Sequence, residues 1–395
     1  MTNKLKMRHR KRTESFAFCA ELLKNIFLLA AVTLVCIGLI EVTLRFAWQK
    51  PGYGYPEGLH IPDQTKGFAY QPNFTGKFPS KLYKDIEIKI NSKGLRDNEH
   101  SYEKPPGVIR ILGLGDSVTF GAGIRAKDTF LKKLEKKLNE EGYPAEIINA
   151  GVNSYEFDQE YTYFFEEGQK YNPDILILNI VLNDAGKVDV EKIREMRFGN
   201  GKLSYQSMKE LARNNCFVCN FAYFNLLVVK NMLEGKGRDY NDQYFNEVYH
   251  LWEGESWEYT KQKMAGLISY SKDHNITVVF VVFPYSQQFS NSEAKWERLP
   301  QQQLKEFGND ENITVIDLLP YLDVPHYQKL YLYNDNLHLN PEGNEVVRDV
   351  LYTELSHSDL FYFFLKNTTA NAAAVTSAGT TSHWYLRCSP NMPKL

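Results

Sequence analysis

Cysteine is scarce in this chain, with five residues among 395: Cys19, Cys36, Cys216, Cys219 and Cys388. This number excludes a small scaffold that depends on a framework of disulfides. Cys216 and Cys219 form a single Cys-x-x-Cys pair, and without a second pair they do not indicate a structural zinc site. Two interpretations of the pair remain open, a local disulfide in an oxidising compartment or two buried free thiols. We assign the pair no catalytic role.

A large net charge is also absent. The 46 Lys and Arg residues nearly balance the 48 Asp and Glu residues, which leaves a formal charge of -2. Because no overall positive charge attracts phosphate groups, we expect no nucleic-acid partner. The length and the apolar content of 43% are typical of one large globular domain with attached segments.

Basic residues crowd the N-terminus: Lys4, Lys6, Arg8, Arg10, Lys11 and Arg12. The apolar run over 26–40 that follows is shorter than the about 20 residues that cross a bilayer. Continuing the run to Trp48 supplies the length, and Trp48 suits the interfacial belt. Glu41 and Arg45 then lie one helical turn apart, where they can pair near the interface.

Three interpretations of this N-terminal segment compete. A cleaved signal peptide requires a small-residue cleavage site, which is not found here, and Val35 before Cys36 argues against a lipoprotein site. A buried core helix does not explain the basic flank. A signal anchor is therefore favoured, with 1–24 as a basic cytoplasmic segment, 25–48 as a transmembrane helix and the rest periplasmic or extracellular.

From residue 108 onward, apolar strands alternate with helices. The strands are predicted over 108–114, 145–150, 174–182, 276–283 and 313–318. The helices are predicted over 128–141, 158–170, 257–273, 297–307 and 341–355. Nearly continuous apolar strands are typical of a parallel sheet that is buried on both faces. The alternation therefore predicts an α/β fold of three layers, α/β/α, for a main domain over 105–366.

Other segments flank or interrupt this domain. Residues 49–104 are predicted to form a linker that packs on the domain, with a short strand over 86–90. The tail over 367–395 is rich in small and polar residues and is predicted to be disordered.

An insertion over 185–255 separates the third and fourth core strands. It contains an apolar helix candidate, Phe217 to Met232, and an aromatic stretch, Tyr240 to Tyr259. The insertion is either a packed excursion or a lid above a site.

The tripeptide Gly115-Asp116-Ser117 closes the first predicted strand. A strand that ends in a glycine-flanked serine lifts the hydroxyl out of the sheet, and a following helix directs its N-terminal dipole at it. A plain turn is the alternative interpretation. Ser117 is the candidate nucleophile, and a serine hydroxyl needs a base to take its proton.

His338 is the candidate base. It is the only histidine with an aspartate three residues earlier, Asp335, and a helix start directly after it, where Asn340 can cap and Pro341 suits the first turn. Asp335 is expected to fix the imidazole tautomer and to stabilise the charged ring. A solvated loop is the alternative for this motif.

An acyl-transfer site also needs donors for a developing oxyanion. The candidates are the backbone N–H of Ser117, Gly151 after the second strand and the side-chain amide of Asn183 after the third. All of them follow strands at the carboxyl edge of the predicted sheet, where ligands bind in such folds.

These residues, in this order, resemble the SGNH, or GDSL-type, hydrolase superfamily. Ser117 corresponds to its first block, Gly151 to the second, Asn183 to the third, and Asp335 with His338 to the last. The resemblance covers most of the chain. It implies a flavodoxin-like parallel five-stranded sheet, ester hydrolysis through a serine acyl-enzyme, and neither a metal nor another cofactor.

One position departs from the family pattern. The third block usually reads Gly-x-Asn-Asp, and Val181 occupies the glycine position here, where it is expected to narrow the site beside Asn183. The anchor and the sequence Gly94-Leu95-Arg96-Asp97 resemble bacterial membrane-tethered members of the superfamily.

The leading hypothesis is a membrane-anchored serine ester hydrolase that acts outside the cytoplasm on acylated carbohydrate or lipid. Two rivals are an O-acyltransferase of an envelope polysaccharide with the same triad, and an inactive membrane-tethered binding module. The sequence does not distinguish hydrolase from transferase, and it leaves the acyl length and the oligomeric state open.

Overall fold

The architecture comes from a computed structural model, which describes the residues 2–47, 55–78, 83, 85–199, 216–233, 248–289, 298–333 and 335–356. The chain divides into two compact units. The first consists of Met1–Gly54, Pro79–Leu82 and Arg194–Tyr244, and the second of Tyr55–Phe78, Tyr83–Ile193 and Phe245–Leu395.

The strands and helices follow one another in chain order. The strands are β1 (His60–Asp63), β2 (Gly67–Tyr70), β3 (Thr75–Lys77), β4 (Glu87–Lys89), β5 (Ile109–Gly115), β6 (Ala145–Gly151), β7 (Ile175–Val181), β8 (Thr277–Phe283) and β9 (Thr314–Asp317). The helices are α1 (Thr2–Ala47), α2 (Ser117–Phe120), α3 (Phe130–Glu140), α4 (Phe157–Glu166), α5 (Val190–Phe198), α6 (Phe217–Leu233), α7 (Gly254–Asp273), α8 (Leu299–Glu311), α9 (Leu319–Leu322) and α10 (Pro341–Ser356).

The centre of the second unit is a five-stranded sheet in the order β6-β5-β7-β8-β9, in which every pairing is parallel. This is the flavodoxin-like strand order, with the chain reversing its direction of growth after β6. The carboxyl ends of β5 and β6 are level, because Gly115 pairs with Gly151. The sheet therefore presents the residues after β5, β6 and β7 at one edge.

Both faces of this sheet are covered by helices. On one face, Leu134 of α3 and Val347 of α10 share a buried cluster with Ile111 of β5. On the other face, Leu267 of α7 shares a second buried cluster with Leu112 of β5, together with side chains of α4 and α8. Alternate residues of each strand point to opposite faces, which explains why these strands are apolar throughout.

The predicted α/β fold of three layers, α/β/α, is confirmed. All five core strands begin and end within one residue of the predicted bounds. The helices are also present, with larger differences at their ends. The helix predicted over 158–170 ends at Glu166 and is followed by a 3-10 turn, and the one predicted over 297–307 extends to Glu311.

Two small antiparallel pairs precede the central sheet. The strand predicted over 86–90 is present as β4 and pairs with β3. The hairpin of β1 and β2 was not predicted, because its strands are four residues long and carry no clear alternation. The pair is fixed by buried aromatic contacts, including Phe68 against Tyr155 at 5.0 Å between ring centres.

The aromatic part of the insertion belongs to the core where it is described. Trp252 is fully buried and donates its indole N–H to the Leu182 carbonyl at 2.6 Å, and it packs on Trp257. These residues form a packed excursion. Residues 200–215 and 234–247 of the insertion, and the predicted tail over 367–395, lie outside the described residues. The predicted domain boundaries and the lid stay predictions.

The described part of the first unit contains α1 and α6. Glu21–Phe46 in α1 is the one described segment that is long and apolar enough to cross a membrane, and an 18-residue stretch within it has a mean hydropathy of 2.5 and is not buried. A membrane anchor and a signal sequence both fit such a helix. Cys216 and Cys219 form a disulfide at the start of α6, which decides between the two interpretations of this pair.

Candidate active site

The turn that follows β5 presents Ser117 at the first position of α2. Asp116 caps this helix, because its carboxylate accepts the backbone N–H of Val118 at 2.8 Å. The helix is a single turn and ends at Gly121, whose backbone is left-handed with φ 76°. The sequence predicted a helix after the serine, and the structure limits it to one turn.

Two glycines allow α2 to lie directly on the sheet edge. A Cβ atom at Gly115 would stand 2.1 Å from the Thr119 hydroxyl, and one at Gly151 would stand 2.3 Å from the Phe120 backbone nitrogen. Any other residue at these positions would push the helix away. The paired glycines therefore fix the height of Ser117 above the sheet.

Ser117, His338 and Asp335 form one hydrogen-bonded chain. The Nε2 atom of His338 lies 2.7 Å from the Ser117 Oγ atom. The Nδ1 atom of the same ring lies 2.9 Å and 3.1 Å from the two carboxylate oxygens of Asp335. The first and last sequence blocks, more than 200 residues apart, thus meet at one point with the geometry that a nucleophile, a base and an orienting carboxylate require.

The two ends of the loop that carries Asp335 and His338 are hydrogen-bonded to each other. An antiparallel bridge joins Tyr331 to Leu339, and the N–H of Leu332 donates to the His338 carbonyl at 2.9 Å. The Asp335 carboxylate also accepts the backbone N–H of His338 at 2.8 Å. These bonds hold base and carboxylate in a fixed relation before any substrate binds.

Asn340 fixes the end of this loop. Its Oδ1 atom accepts the backbone N–H groups of Glu342 and Gly343, at 2.9 and 3.0 Å, as the first turn of α10 begins. This is the cap that the sequence predicted. Its amide also donates to the Tyr331 carbonyl at 3.2 Å, which ties the helix start to the base of the loop.

Opposite charges on His338 and Asp335 stabilise one another. Burial lowers the pKa of His338, but the charge and hydrogen bond of Asp335 outweigh it and raise the pKa above the usual 6.5. Burial raises the pKa of Asp335, but the His338 charge and backbone N–H groups outweigh it and lower the pKa below 3.8. The protonated ring is therefore favoured beside the carboxylate.

A group of buried carboxyls lies in the same region. Burial raises the pKa of Asp116, and it raises the pKa values of Glu160 and Asp184 well above their usual range, with further increases from neighbouring carboxylates. Both carboxyl oxygens of Glu160 lack a hydrogen-bond partner among the described residues. These surroundings favour the neutral, protonated form of Glu160 and Asp184, whereas the charge of His338 and hydrogen bonds to Val118 and Ser117 act against the rise in the pKa of Asp116.

Gly151 is placed at the carboxyl end of β6, below α2. Its N–H donates to the side-chain oxygen of Asn149 at 3.0 Å. A substrate oxygen would have to compete with Asn149 for this donor. The part that Gly151 takes in an oxyanion hole stays a prediction.

Asn183 follows β7, and its side chain is held by a residue that the sequence did not indicate. The hydroxyl of Tyr285, just after β8, donates to the Asn183 Oδ1 atom at 3.1 Å. Because the amide oxygen accepts this bond, the NH₂ group of Asn183 points away from the Tyr285 hydroxyl. Val181 is fully buried in the core cluster on the α3 face, and its N–H donates to Asp184 at 2.6 Å.

Arg96 and Asn149 support the nucleophile turn and were not recognised as such from the sequence. The buried guanidinium of Arg96 donates to the carbonyls of Phe120 and Gly121 at 3.0 and 2.8 Å, at the end of α2. Burial lowers the pKa of Arg96 to about 10. The Asn149 amide donates to the Thr119 carbonyl at 2.7 Å. Only the Gly94–Asp97 resemblance gave a signal for Arg96.

The three-layer fold thus holds a Ser–His–Asp chain at the carboxyl edge of its sheet, which is the arrangement of the serine-hydrolase triad. The sequence of residues 114–346, more than half of the chain, matches the GDSL-like Lipase/Acylhydrolase family. The chain belongs to this family. The predicted resemblance to GDSL-type hydrolases is thereby confirmed.

Several solved structures are similar to part of the chain. The lipase/acylhydrolase from Enterococcus faecalis is 14% identical, with 62% of this chain and 95% of that chain covered and a TM-score of 0.37. A member of the lipolytic G-D-S-L family from Veillonella parvula is 11% identical, with 63% and 100% covered and a TM-score of 0.39. An acetyl-xylooligosaccharide esterase from a Geobacillus species is 11% identical, with 63% and 95% covered and a TM-score of 0.40. No curated protein matches the chain.

Proposed function

We propose that the protein is a serine ester hydrolase that works through an acyl-enzyme, with Ser117 as nucleophile, His338 as base and Asp335 as the carboxylate that orients it. The observation that carries the proposal is the distance of 2.7 Å between His338 Nε2 and Ser117 Oγ, together with the Asp335 bond on the other side of the ring. A binding module without catalysis does not require this arrangement, whereas an activated serine does.

The first half of the reaction forms the acyl-enzyme. His338 Nε2 accepts the hydroxyl proton as Ser117 Oγ bonds to the ester carbonyl carbon. Asp335 holds the Nδ1–H and stabilises the imidazolium that results. The tetrahedral intermediate then collapses, the bond to the alcohol oxygen breaks, and His338 returns its proton to the departing alcohol.

The second half releases the acid. Water enters the position that the alcohol has left, His338 takes a proton from it, and the hydroxide bonds to the acyl carbon. Collapse of the second intermediate breaks the bond to Ser117 Oγ, which regains its proton from His338. The enzyme returns to its initial state.

The developing oxyanion needs donors in both halves. We propose the N–H of Ser117, the N–H of Gly151 and the Asn183 amide. The Tyr285 bond to Asn183 Oδ1 supports this assignment, because it leaves the NH₂ group as the free end of the amide to donate. Removal of one oxyanion donor costs about 3 kcal/mol of transition-state stabilisation in other enzymes.

The substrate in this proposal is an ester-linked acyl group on a carbohydrate or lipid outside the cytoplasm. The apolar segment Glu21–Phe46 with its basic flank supports a signal anchor that leaves the hydrolase on the outer side. The Cys216–Cys219 disulfide supports the same side, because disulfides persist in oxidising compartments.

Release of acetate from p-nitrophenyl acetate by the purified full-length protein tests the proposal. We expect steady release without any added acceptor, and its loss in Ser117→Ala. Acetylation that depends on an added polysaccharide, with no release in its absence, would instead indicate an acyltransferase. No reaction in either assay would overturn the assignment as an enzyme.

A further inference from the structure

Helix α6 begins at a charged junction with α1. The Glu41 carboxylate accepts the backbone N–H groups of Phe217 and Val218 at 3.1 and 2.8 Å. It also pairs with Arg45 at 2.9 Å, and the Arg45 guanidinium lies 5.2 Å from the centre of the Phe217 ring. Glu41 thus satisfies two of the amides that lack a partner within the first turn of a helix. The start of α6 is therefore fixed at the level of Glu41.

The disulfide reinforces this junction. It links Cys216 to Cys219 across the first turn of α6, and the Cys219 N–H donates to the Cys216 sulfur at 3.0 Å. If α1 spans a membrane with its basic flank inside, Glu41 lies near the outer end of the apolar segment Glu21–Phe46. The first turn of α6 then lies at the outer membrane surface, on the oxidising side.

Among the described side chains of α6, a mainly apolar strip is exposed between Phe221 and Val229. Leu226 is 68% exposed and Val229 is 49% exposed, and Phe221 and Ala222 are exposed on the same side. Residues four positions apart lie above one another on a helix, so these side chains form two adjacent rows. Asn225 lies within these rows, and the other side chains named are apolar. A mainly apolar exposed strip of this kind marks an interaction surface.

Three uncharged polar side chains of these helices, Asn225, Thr33 and Thr43, form hydrogen bonds within their own helix. The Asn225 amide, within the exposed strip, donates to a carbonyl one turn earlier at 2.7 Å. The hydroxyls of Thr33 and Thr43 in α1 do the same, each at 2.8 Å. Hydrocarbon offers no water to polar groups, so a helix in contact with lipid must satisfy them internally. These bonds within each helix make both α6 and α1 compatible with contact to lipid.

From these observations we infer that α6 is a second membrane-contacting helix, whose exposed strip over residues 221–229 lies against lipid acyl chains beside α1. The inference rests on the proposed role of α1 as a membrane anchor. Lys230 follows the strip near the end of the helix, where a long side chain can reach the lipid headgroups. The Glu41 junction joins α6 to the anchor helix α1. When α1 inserts in the bilayer, α6 is therefore held at the bilayer surface.

Lipid-borne quenchers test this contact in the full-length protein. Cys19, Cys36 and Cys388 are replaced by Ser, the native disulfide is kept, and an environment-sensitive fluorophore is attached to a single new cysteine. The protein is reconstituted in vesicles of phosphatidylethanolamine and phosphatidylglycerol, with or without nitroxide-labelled acyl chains. Leu226→Cys and Val229→Cys report on α6, Leu34→Cys on α1, and Lys136→Cys on the charged exposed side of α3.

We expect the nitroxide lipids to remove most of the fluorescence at Leu226→Cys, Val229→Cys and Leu34→Cys, and little at Lys136→Cys. Strong quenching at Leu34→Cys with none at either α6 position would overturn the inference and leave the anchor intact. Absence of quenching at Leu34→Cys would contradict the proposed membrane anchor, and the inference that rests on it would then also be wrong. Labelling of Ser117 by a fluorophosphonate in each variant verifies that the hydrolase is folded.

Discussion

Asp116 and His338 both contact the same hydroxyl. Asp116 Oδ2 lies 3.1 Å and His338 Nε2 lies 2.7 Å from Ser117 Oγ, and the hydroxyl has one proton to donate. When His338 is neutral, it can accept that proton and act as the base. When His338 is protonated, its ring donates to Oγ and the hydroxyl can donate to Asp116 instead. The protonated, inactive state thus has a complete hydrogen-bond arrangement of its own.

The first prediction concerns the pH dependence of the wild-type protein. Burial lowers the pKa of His338, but Asp335 and Asp116 outweigh it and raise the pKa above 6.5. Because only the neutral ring accepts the Ser117 proton, kcat/KM must rise as the pH increases through this raised pKa. We expect the acid limb of the kcat/KM profile for p-nitrophenyl acetate to have its midpoint above pH 6.5. A midpoint at or below 6.5 would contradict the account.

Replacing Asp116 by Asn should move that midpoint downward. The amide oxygen can still cap Val118, whereas the negative charge that favours the protonated ring is lost. We expect a shift of about one pH unit towards acid, the lower end of what one nearby charge contributes. The same kcat/KM profile measures it. An unchanged or higher midpoint would show that Asp116 does not influence the base.

Two variants of Asp335 separate its electrostatic role from its structural one. Asp335→Asn keeps an oxygen for the backbone N–H groups of Leu337 and His338 but removes the charge behind the imidazole. We expect kcat to fall about ten-thousand-fold, the loss seen when the carboxylate of a serine triad becomes an amide.

Asp335→Ala also leaves those two N–H groups without their acceptor. We expect it to be less stable than Asp335→Asn by about 1 kcal/mol in the free energy of unfolding, because partly buried donors lose their partner. Chemical unfolding of both variants in the same detergent measures the difference. Equal stability would show that the loop does not depend on this carboxylate.

Tyr285→Phe tests whether Asn183 is a positioned donor. The change removes the hydroxyl that bonds to Asn183 Oδ1 and keeps the ring. We expect kcat to fall by about tenfold with KM nearly constant, because a donor that acts mainly in the transition state becomes less well oriented. Tyr163→Phe, at a buried tyrosine of α4, serves as the control and should leave kcat unchanged. Equal effects of both variants would indicate a general loss of packing.

The sequence was sufficient for the central sheet and for the residues that meet at its edge. Runs such as Ile175–Val181 are almost entirely apolar because helices cover both faces of the sheet. This pattern can be recognised in the sequence without any knowledge of tertiary contacts. The alternation of strands and helices then places the residues after each strand at one edge. The meeting of Ser117 with His338 follows from that placement and from the family motifs.

The supporting contacts were beyond the reach of the sequence. The bond between Tyr285 and Asn183 joins residues 102 positions apart, and no local pattern marks either as a partner of the other. The Gly151 N–H donates to the side-chain oxygen of Asn149. This bond depends on the rotamer of Asn149, which the sequence does not give. Arg96 donates hydrogen bonds to the end of α2 from a buried guanidinium. Arginine is mostly exposed to solvent in proteins, so the sequence does not predict this role.

Fluorophosphonate labelling of the full-length protein is the most direct test of the central claim, that His338 activates the Ser117 hydroxyl. The reagent forms a covalent bond only with an activated serine, and peptide mass spectrometry identifies the residue. The account predicts rapid modification of Ser117 in the wild-type protein, none in Ser117→Ala, and modification slowed by several orders of magnitude in His338→Ala. Equal rates of Ser117 modification in the wild type and in a folded His338→Ala variant would contradict it.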